Sequence, residues 1–321
     1  MPPSNLQFQN ALYRIYVKTK DLSRQQWLEY RTRGIGGSDV SIIAGINPFK
    51  SIYELWQEKT HQVQPHESGS ESTHFGTLLE PIVRKEFSVR TGLKVRQKHM
   101  ILQSIEYPFM FADLDGVINE NGEQVIFEAK TASAFKKDVW DNGVPLPYIL
   151  QVQHYMCVTG AKKTYVAALV GGNQFYCCTV ERDENLIQQI IAMEKAFWEN
   201  NVIGNQEPLP DGSAATTQYL NHRFAHSNGQ AVSLPDDLLS VCEEYNRLSG
   251  QIDELTAARN CAANRMKHSL GENEIGLVGG YRISWKQVNS TRFDSTRFKR
   301  DNPELYDQYA TLSQYRKFSV S

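Results

Sequence analysis

Residues 111–118 read FADLDGVI and residues 127–131 read FEAKT, and the arrangement of these two stretches decides the fold. Both are rich in residues that favour β-strands, and the dipeptide Asn121-Gly122 lies between them. An Asn-Gly pair between two such runs is a strong signal for a β-hairpin. We therefore predict two adjacent antiparallel strands, each with acidic side chains.

The spacing of these residues suits a site for a divalent cation, and a solvent-facing ion pair of Glu128 with Lys130 is the alternative reading. Residues two apart in a strand point to the same face, so Glu128 and Lys130 project together, and Asp115 ends the neighbouring strand. The side chain of Ala129 points away, while its backbone carbonyl could still face the metal. Two carboxylates and a carbonyl form a hard oxygen site that suits Mg²⁺, with Mn²⁺ as a substitute. Such an ion polarises a phosphate and activates a water that Lys130 could position or deprotonate.

Apolar periodicity around the hairpin predicts an α/β protein in which helices flank a mixed sheet. We read residues 66–73 (HESGSEST) as a surface loop that precedes the first of these helices. The predicted elements are a helix from Phe75 to Thr91, strands at Lys94–Leu102, Phe109–Ile118 and Gln124–Thr131, a helix at Tyr148–Val158, strands at Lys163–Leu169 and Gln174–Val180, and a helix at Glu184–Asn200.

The last third of the chain differs in composition from the rest. Residues 205–235 are polar and rich in Gly, Pro and Ser, which predicts a linker between a domain at 1–204 and a region at 236–321. Within 236–321, apolar residues from Leu238 to Met266 recur at alternating spacings of three and four, as in a coiled coil. This region therefore begins with a long helix that pairs with another helix, and it ends in a basic, aromatic tail.

Global composition sets broader limits on the chain. Its 321 residues carry a formal net charge of −2, which neither supports nor excludes a DNA substrate. The five cysteines include no CxxC pair and predict neither a disulfide framework nor a metal-ligand set. Without a secretory or membrane-spanning pattern, we expect a cytoplasmic location and no membrane partner.

Five motifs in order resemble the YqaJ-like viral recombinases, relatives of bacteriophage lambda exonuclease in the PD-(D/E)XK nuclease superfamily. The resemblance covers about residues 30–200 and implies a restriction-endonuclease-like core. The motifs are RTRGIGGSDVSIIAGINPFKSIYELWQEKT (31–60), FGTLLEPIVRKEF (75–87), FADLDGVI (111–118), FEAKTA (127–132) and YILQVQHYMCVTGAKKTYVAAL (148–169).

The resemblance implies a role for each residue of the metal site. Asp115 and Glu128 would be direct metal ligands, and Lys130 would position the water. Glu80, on the helix before the sheet, would bind the metal directly or through water. An exposed glutamate before Pro81 is the alternative reading of Glu80.

Two further groups of residues are implied to contact DNA. Gln151 and Tyr155 share one helix face and would touch DNA near the cut, although a face that packs on the sheet explains Tyr155 nearly as well. Arg31, Arg33 and Ser38 bracket a glycine-rich turn that would hold a 5′-terminal phosphate. Arg31 fits that role better than Arg33. Ser38 or Asp39 also suits a helix cap, and we assign that role to Asp39.

The expected function is a metal-dependent 5′→3′ exonuclease that acts on double-stranded DNA ends in a phage or prophage recombination system of a bacterial host. It would leave 3′ overhangs, and its implied partner is a single-strand annealing protein. The implied assembly is a ring-shaped homo-oligomer, with a trimer as the expected form, although the long helix could build or block such an interface. Two alternatives stay open, namely a DNA endonuclease on the same fold and a non-catalytic DNA-end-binding module.

Overall fold

The hairpin around Asn121 and Gly122 forms as predicted. Both residues have positive φ, 54° and 88°, as a two-residue turn of the I′ type requires. The flanking strands pair in an antiparallel register that places Gly116 opposite Phe127. These details come from a computed structural model that describes residues 12–65 and 71–320.

The described residues contain eleven β-strands and eleven α-helices. The strands are β1 (Tyr13–Lys18), β2 (Ile35–Gly36), β3 (Val95–Arg96), β4 (Met100–Ser104), β5 (Met110–Asp113), β6 (Gly116–Glu120), β7 (Glu123–Ala132), β8 (Lys163–Val170), β9 (Gln174–Glu181), β10 (Ile275–Val278) and β11 (Tyr281–Ser284). The helices are α1 (Arg24–Arg31), α2 (Gly37–Ile43), α3 (Ile52–Lys59), α4 (Glu71–Thr91), α5 (Lys137–Asp141), α6 (Leu146–Thr159), α7 (Glu184–Ala196), α8 (Ala214–Arg223), α9 (Leu238–Leu270), α10 (Ser295–Asp301) and α11 (Pro303–Tyr309).

A five-stranded mixed sheet in the order β3-β6-β7-β8-β9 forms the centre of the fold. Strand β8 runs parallel to β7, and the other neighbours are antiparallel. Alternate residues of β7 face opposite layers, since Ile126 packs in the cluster that contains α6 residues and Phe127 packs with Phe87 of α4. The predicted α/β class, with helices flanking a mixed sheet, is therefore confirmed.

A second sheet, in the order β1-β4-β5-β2, was not predicted as a separate layer. The strands expected at Lys94–Leu102 and Phe109–Ile118 are each broken in two, because the chain crosses from one sheet to the other at each place. The second crossing leaves Leu114 and Asp115 between β5 and β6. Asp115 therefore stands in a bend between the sheets, and not within a continuous strand.

The chain divides into two compact units, one ending at Arg223 and the other beginning at Phe224. Residues 205–235, expected to be a linker, contain the helix α8. Its residues Ala215 and Thr216 are buried, and its Tyr219 stacks on Tyr53 with ring centroids 5.1 Å apart. These tertiary contacts outweigh the polar composition from which the linker was predicted.

The second unit is built on α9, and the long helix predicted there is confirmed. Strands β10 and β11 form an antiparallel hairpin after it. Across the described ranges, no helix has both the length and the apolar character needed to traverse a bilayer.

The loop expected at 66–73 can be compared only in part. Residues 66–70 lie outside the described residues, and residues 71–73 form the first turn of α4. The helix predicted from Phe75 therefore begins four residues earlier than expected.

Candidate active site

The bend between β5 and β6 brings Asp115 next to β7. Because Gly116 pairs with Phe127, Asp115 lies beside Glu128 across the hairpin. Its Oδ2 accepts a 2.8 Å hydrogen bond from the backbone nitrogen of Ala129. The predicted Asp and Glu are thus neighbours, and their separation is fixed by backbone pairing.

Glu128 is buried at the centre of a hydrogen-bond network. Its Oε1 accepts from Lys130 Nζ at 2.6 Å and from Gln151 Nε2 at 2.7 Å. Its Oε2 is also buried, and within the described residues it has no hydrogen-bond partner. Leaving a buried carboxylate oxygen unpaired costs free energy, so this oxygen is suited to a ligand such as a cation.

Burial and mutual repulsion make the carboxylates hard to ionise together. Burial, reinforced by the charge of Asp115, raises the pKa of Glu128 to about 8. Burial also raises the pKa of Asp115 and that of Glu80, where Asp115 adds repulsion. A nearby cation would relieve this repulsion.

Burial and nearby charge act in opposite directions on the pKa of Lys130. Burial acts to lower its pKa, but the attraction of Glu128 and Asp115 outweighs burial and the pKa is raised. Lys130 is therefore protonated at neutral pH, which fits a group that positions a water better than one that accepts its proton.

Glu80 lies on α4 at the edge of the same cleft. Its Oε1 accepts a 3.0 Å hydrogen bond from Arg84 Nη1, one turn later on the helix. Among the residues described, no three His, Cys, Asp or Glu side chains form a group that could hold a metal ion. Asp115, Glu128, Glu80 and Ala129 nevertheless line one cleft, and their oxygens could hold a divalent cation together with water.

Gln151 and Tyr155 share one face of α6, as predicted. Gln151 accepts a hydrogen bond from Lys130 Nζ at 3.0 Å, and its Nε2 lies 3.2 Å from the hydroxyl of Tyr155. Both side chains are buried, and both pack against Gly37, where an added Cβ would come within 2.6 Å of the Tyr155 ring. The contacts of Gln151 and Tyr155 are thus with other groups of the protein. Because Gly37 has no side chain, α2 can approach α6 closely.

Arg31 and Ser38 meet at the start of α2. Arg31 Nη2 donates a 2.6 Å hydrogen bond to Ser38 Oγ and lies 3.5 Å from Asp39 Oδ1. The N-cap of α2 is Gly36, whose nitrogen is bound by Asp39 Oδ2 at 2.9 Å. Asp39 therefore caps the helix from within its first turn, and Ser38 is not the N-cap.

The buried side chain of Lys59 stabilises this turn. Lys59 Nζ donates to Asp39 Oδ2 at 2.7 Å and to the carbonyls of Gly34 and Arg31 at 2.6 and 2.8 Å. The attraction of Lys59 and Arg31 outweighs burial and holds the pKa of Asp39 far below its usual value. Asp39 therefore has a structural role, and the Arg31–Ser38 pair faces the cleft.

Two residues beside Arg31, Trp27 and Asp113, were not predicted. The guanidinium groups of Arg24 and Arg31 both lie over the ring of Trp27, with their centres 3.9 and 4.7 Å from its centroid. Its Nε1 donates a 2.7 Å hydrogen bond to Asp113 Oδ2. The sequence contains a signal for each of these two residues. Trp27 precedes Arg31 by one helical turn, and Asp113 precedes Asp115 by two residues, so each shares a face with a predicted site residue.

One cleft of about 650 Å³ joins these groups. Nine of the ten residues predicted for the site line it: Arg31, Ser38, Glu80, Asp115, Glu128, Ala129, Lys130, Gln151 and Tyr155. The tenth, Arg33, is exposed and does not line it; its guanidinium lies over the ring of Tyr30, 5.0 Å from the centroid. The carboxylates of Glu80, Asp115 and Glu128 and the Arg31–Ser38 pair thus share one cavity.

Comparisons with known proteins agree with the motifs. The sequence model of the YqaJ-like viral recombinase domain matches residues 26–162. The chain is 41% identical over 310 residues to an uncharacterised protein of Bacillus subtilis (strain 168), YqaJ, which spans 95% of this chain and 97% of that protein. The resemblance inferred from the sequence is thereby confirmed.

Solved structures are similar over a smaller part of the chain. An alkaline exonuclease of Laribacter hongkongensis is 21% identical, covering 62% of this chain and 97% of its own, with a TM-score of 0.46. A phage related exonuclease from Haemophilus somnus 129PT is 15% identical, covering 54% and 96%, with a TM-score of 0.42.

Proposed function

The chain belongs to the YqaJ-like viral recombinase family, and on that premise we propose that it is a metal-dependent exonuclease of double-stranded DNA. One observation carries the proposal. Asp115, Glu128 and Lys130 meet at one wall of the cleft, and Glu128 directs there a buried oxygen that lacks a hydrogen-bond partner in the described residues.

The donor set fits Mg²⁺, with Mn²⁺ as a substitute. Asp115 and Glu128 would bind it directly, the carbonyl of Ala129 would add a third oxygen, and Glu80 would act through water. When bound, the ion supplies charge that polarises the scissile phosphate and activates a water. The raised pKa values of the carboxylates support this assignment, because a cation stabilises their ionised forms.

Lys130 and Gln151 prepare the nucleophile in this proposal. Protonated Lys130 donates a hydrogen bond to the attacking water and holds it in line with the phosphorus. Gln151 fixes both Lys130 and Glu128 through its amide, so that neither side chain has to reorganise during the reaction.

The Arg31–Ser38 pair supports action at DNA ends. A guanidinium and a hydroxyl in the same cleft as the carboxylates suit a terminal 5′-phosphate. Digestion would then run 5′→3′ and leave a 3′ overhang, which a single-strand annealing protein uses in phage-type recombination. The enzyme would act in the bacterial cytoplasm as a homo-oligomer.

A substrate comparison tests the proposal. Linear duplexes with 5′-phosphate or 5′-hydroxyl ends and covalently closed circles are incubated with the enzyme and Mg²⁺, each strand carrying its own label. We expect each strand of linear DNA to be shortened from its 5′ end, fastest when that end carries a phosphate. Closed circles should stay intact. Rapid cutting of circles contradicts the exonuclease assignment.

Two lysine variants complete the test. Lys130→Ala should bind DNA but not cleave it. Lys162→Ala, which removes an exposed lysine paired with Glu123, should cleave normally. A fully active Lys130→Ala enzyme would show that the site is misassigned.

A further inference from the structure

The helix α9 exposes an apolar seam along its length. Seam positions alternate at spacings of three and four, as in a coiled coil, and six of their large side chains are exposed. These are Val241, Tyr245, Leu248, Ile252, Leu255 and Met266. At the centre, Ile252 and Leu255 are 63% and 71% exposed. Tyr245 already contacts the ring of Phe318 of its own chain, with centroids 5.7 Å apart. Burial of the exposed remainder of the row against a partner helix would be favourable.

Charge along α9 indicates what that partner is. The start of the helix is acidic, with Asp236 and Asp237 just before it and Glu243 and Glu244 in its second turn. Toward its end the helix is basic. The basic residues are Arg259, Arg265 and Lys267. A second copy of α9 in the opposite direction would place each acidic end against a basic end.

The seam has a register that suits this antiparallel pairing. With Ile252 opposite Leu255 of the second copy, Tyr245 meets Ala262 and Met266 meets Val241, so that a large side chain faces a smaller one at both ends. The same register places Glu244 next to Arg265 at the flank of the seam. Each of these contacts occurs twice, because the pair is symmetric.

A parallel pairing fits the sequence poorly. Arg259 interrupts the seam, and in a parallel pair it would face Arg259 of the second copy in the core. Two like charges buried together are unfavourable. In the antiparallel register Arg259 faces Leu248, along which its aliphatic stem can lie while its charge reaches water.

We infer that α9 is a self-association surface through which two copies of this chain pair as an antiparallel two-helix coiled coil. Glu244 is bonded to Arg247 of its own helix at 2.6 and 2.7 Å, and both side chains are about half exposed. An exposed pair of this kind contributes little, so Glu244 can be shared with Arg265 of the second copy.

Analytical ultracentrifugation of the full-length protein with matched glutamate variants tests the inference. Leu255→Glu places a carboxylate at the centre of the seam and should raise the dissociation constant at least about 100-fold, halving the assembly mass. Leu239→Glu changes an equally exposed leucine, 66%, that lies off the seam, and should leave the mass unchanged. Circular dichroism verifies that both variants retain their helix content.

A charge exchange tests the direction of pairing. Glu244→Arg or Arg265→Glu alone should raise the dissociation constant by about tenfold, and the double exchange should restore it to within about threefold. An odd number of copies in the wild type, including the trimer that the family resemblance implies, overturns the inference. An unchanged mass in Leu255→Glu or no restoration in the double exchange also overturns it. DNA cleavage is not part of the measurement, so the result is independent of the nuclease proposal.

Discussion

The side-chain amide of Gln151 donates a 2.7 Å hydrogen bond to Glu128 Oε1, although the two residues are 23 positions apart in sequence. The same amide accepts from Lys130 Nζ at 3.0 Å. Since Gln151 lies on α6 and the other two on β7, this amide links the helix to the strand that carries the reactive groups. Its position therefore controls the geometry of the proposed site.

Replacing Gln151 with Leu should lower activity about 10- to 100-fold, because residues that orient metal ligands typically have effects of this size. The apparent affinity for Mg²⁺ should fall with it, since Glu128 loses one of its two hydrogen bonds. Titration of the cleavage rate with Mg²⁺ measures both effects.

Gln153→Leu is the matched control on the same helix. Gln153 is equally buried but bonds to Glu181 and Asp183 instead. This variant should be less stable and should keep the wild-type Mg²⁺ dependence. An identical loss of Mg²⁺ affinity in both variants would mean that Gln151 acts only through general stability.

The raised pKa of Glu128 predicts how the stability of the metal-free protein, kept in a chelator, depends on pH. Its pKa of about 8 in the folded protein lies above the ordinary value of 4.5, so the folded state keeps a proton that the unfolded state releases between these values. The free energy of unfolding should therefore fall as pH rises from about 4.5 to 8, by an amount on the order of 5 kcal/mol.

Denaturant titrations at several pH values measure this slope. In Glu128→Gln the slope should be much smaller, because the group no longer ionises. Mg²⁺ should stabilise the wild type at pH 8 and have little effect on Glu128→Gln. Equal slopes in the two proteins would show that another group is responsible.

The Arg31–Ser38 pair predicts a preference for phosphorylated ends. Arg31→Ala should slow digestion of 5′-phosphate ends by about tenfold or more, with less effect on 5′-hydroxyl ends, because a charge-assisted hydrogen bond is lost only in the first case. Arg33→Ala, at an exposed position outside the cleft, should digest both ends normally. A uniform loss on both ends in Arg31→Ala would indicate a structural role for Arg31.

Trp27 and Asp113 should be energetically coupled. Trp27→Phe keeps an aromatic ring next to Arg24 and Arg31 but removes the 2.7 Å hydrogen bond to Asp113. Loss of one partner of such a bond costs about 1–3 kcal/mol of unfolding free energy. A double-mutant cycle with Asp113→Ala measures the coupling, and additive effects would contradict it.

Local pattern predicted the parts of the site that depend on local geometry. Strand alternation placed Glu128 and Lys130 on one face, and the positive φ of Asn121 and Gly122 follows from the residues themselves. The confirmed family motifs lie in the same stretches.

Features that depend on contacts between distant parts of the chain could not be predicted from local sequence pattern. β1 pairs with β4, more than 80 residues later, so nothing near Tyr13–Lys18 reveals its partner. The break at Leu114 likewise arises because the chain changes sheets. The hydrogen bond of Trp27 to Asp113 spans 86 positions, and α8 forms because it packs on α3.

In the proposed mechanism, Asp115 and Glu128 hold one divalent cation at the cleavage site. Anomalous diffraction from crystals with Mn²⁺, at a concentration that supports cleavage, tests it most directly. We predict one strong peak roughly 2 Å from a carboxylate oxygen of Asp115 and from Glu128 Oε2. A cleft without a peak, or a peak bound by neither carboxylate, would contradict the assignment.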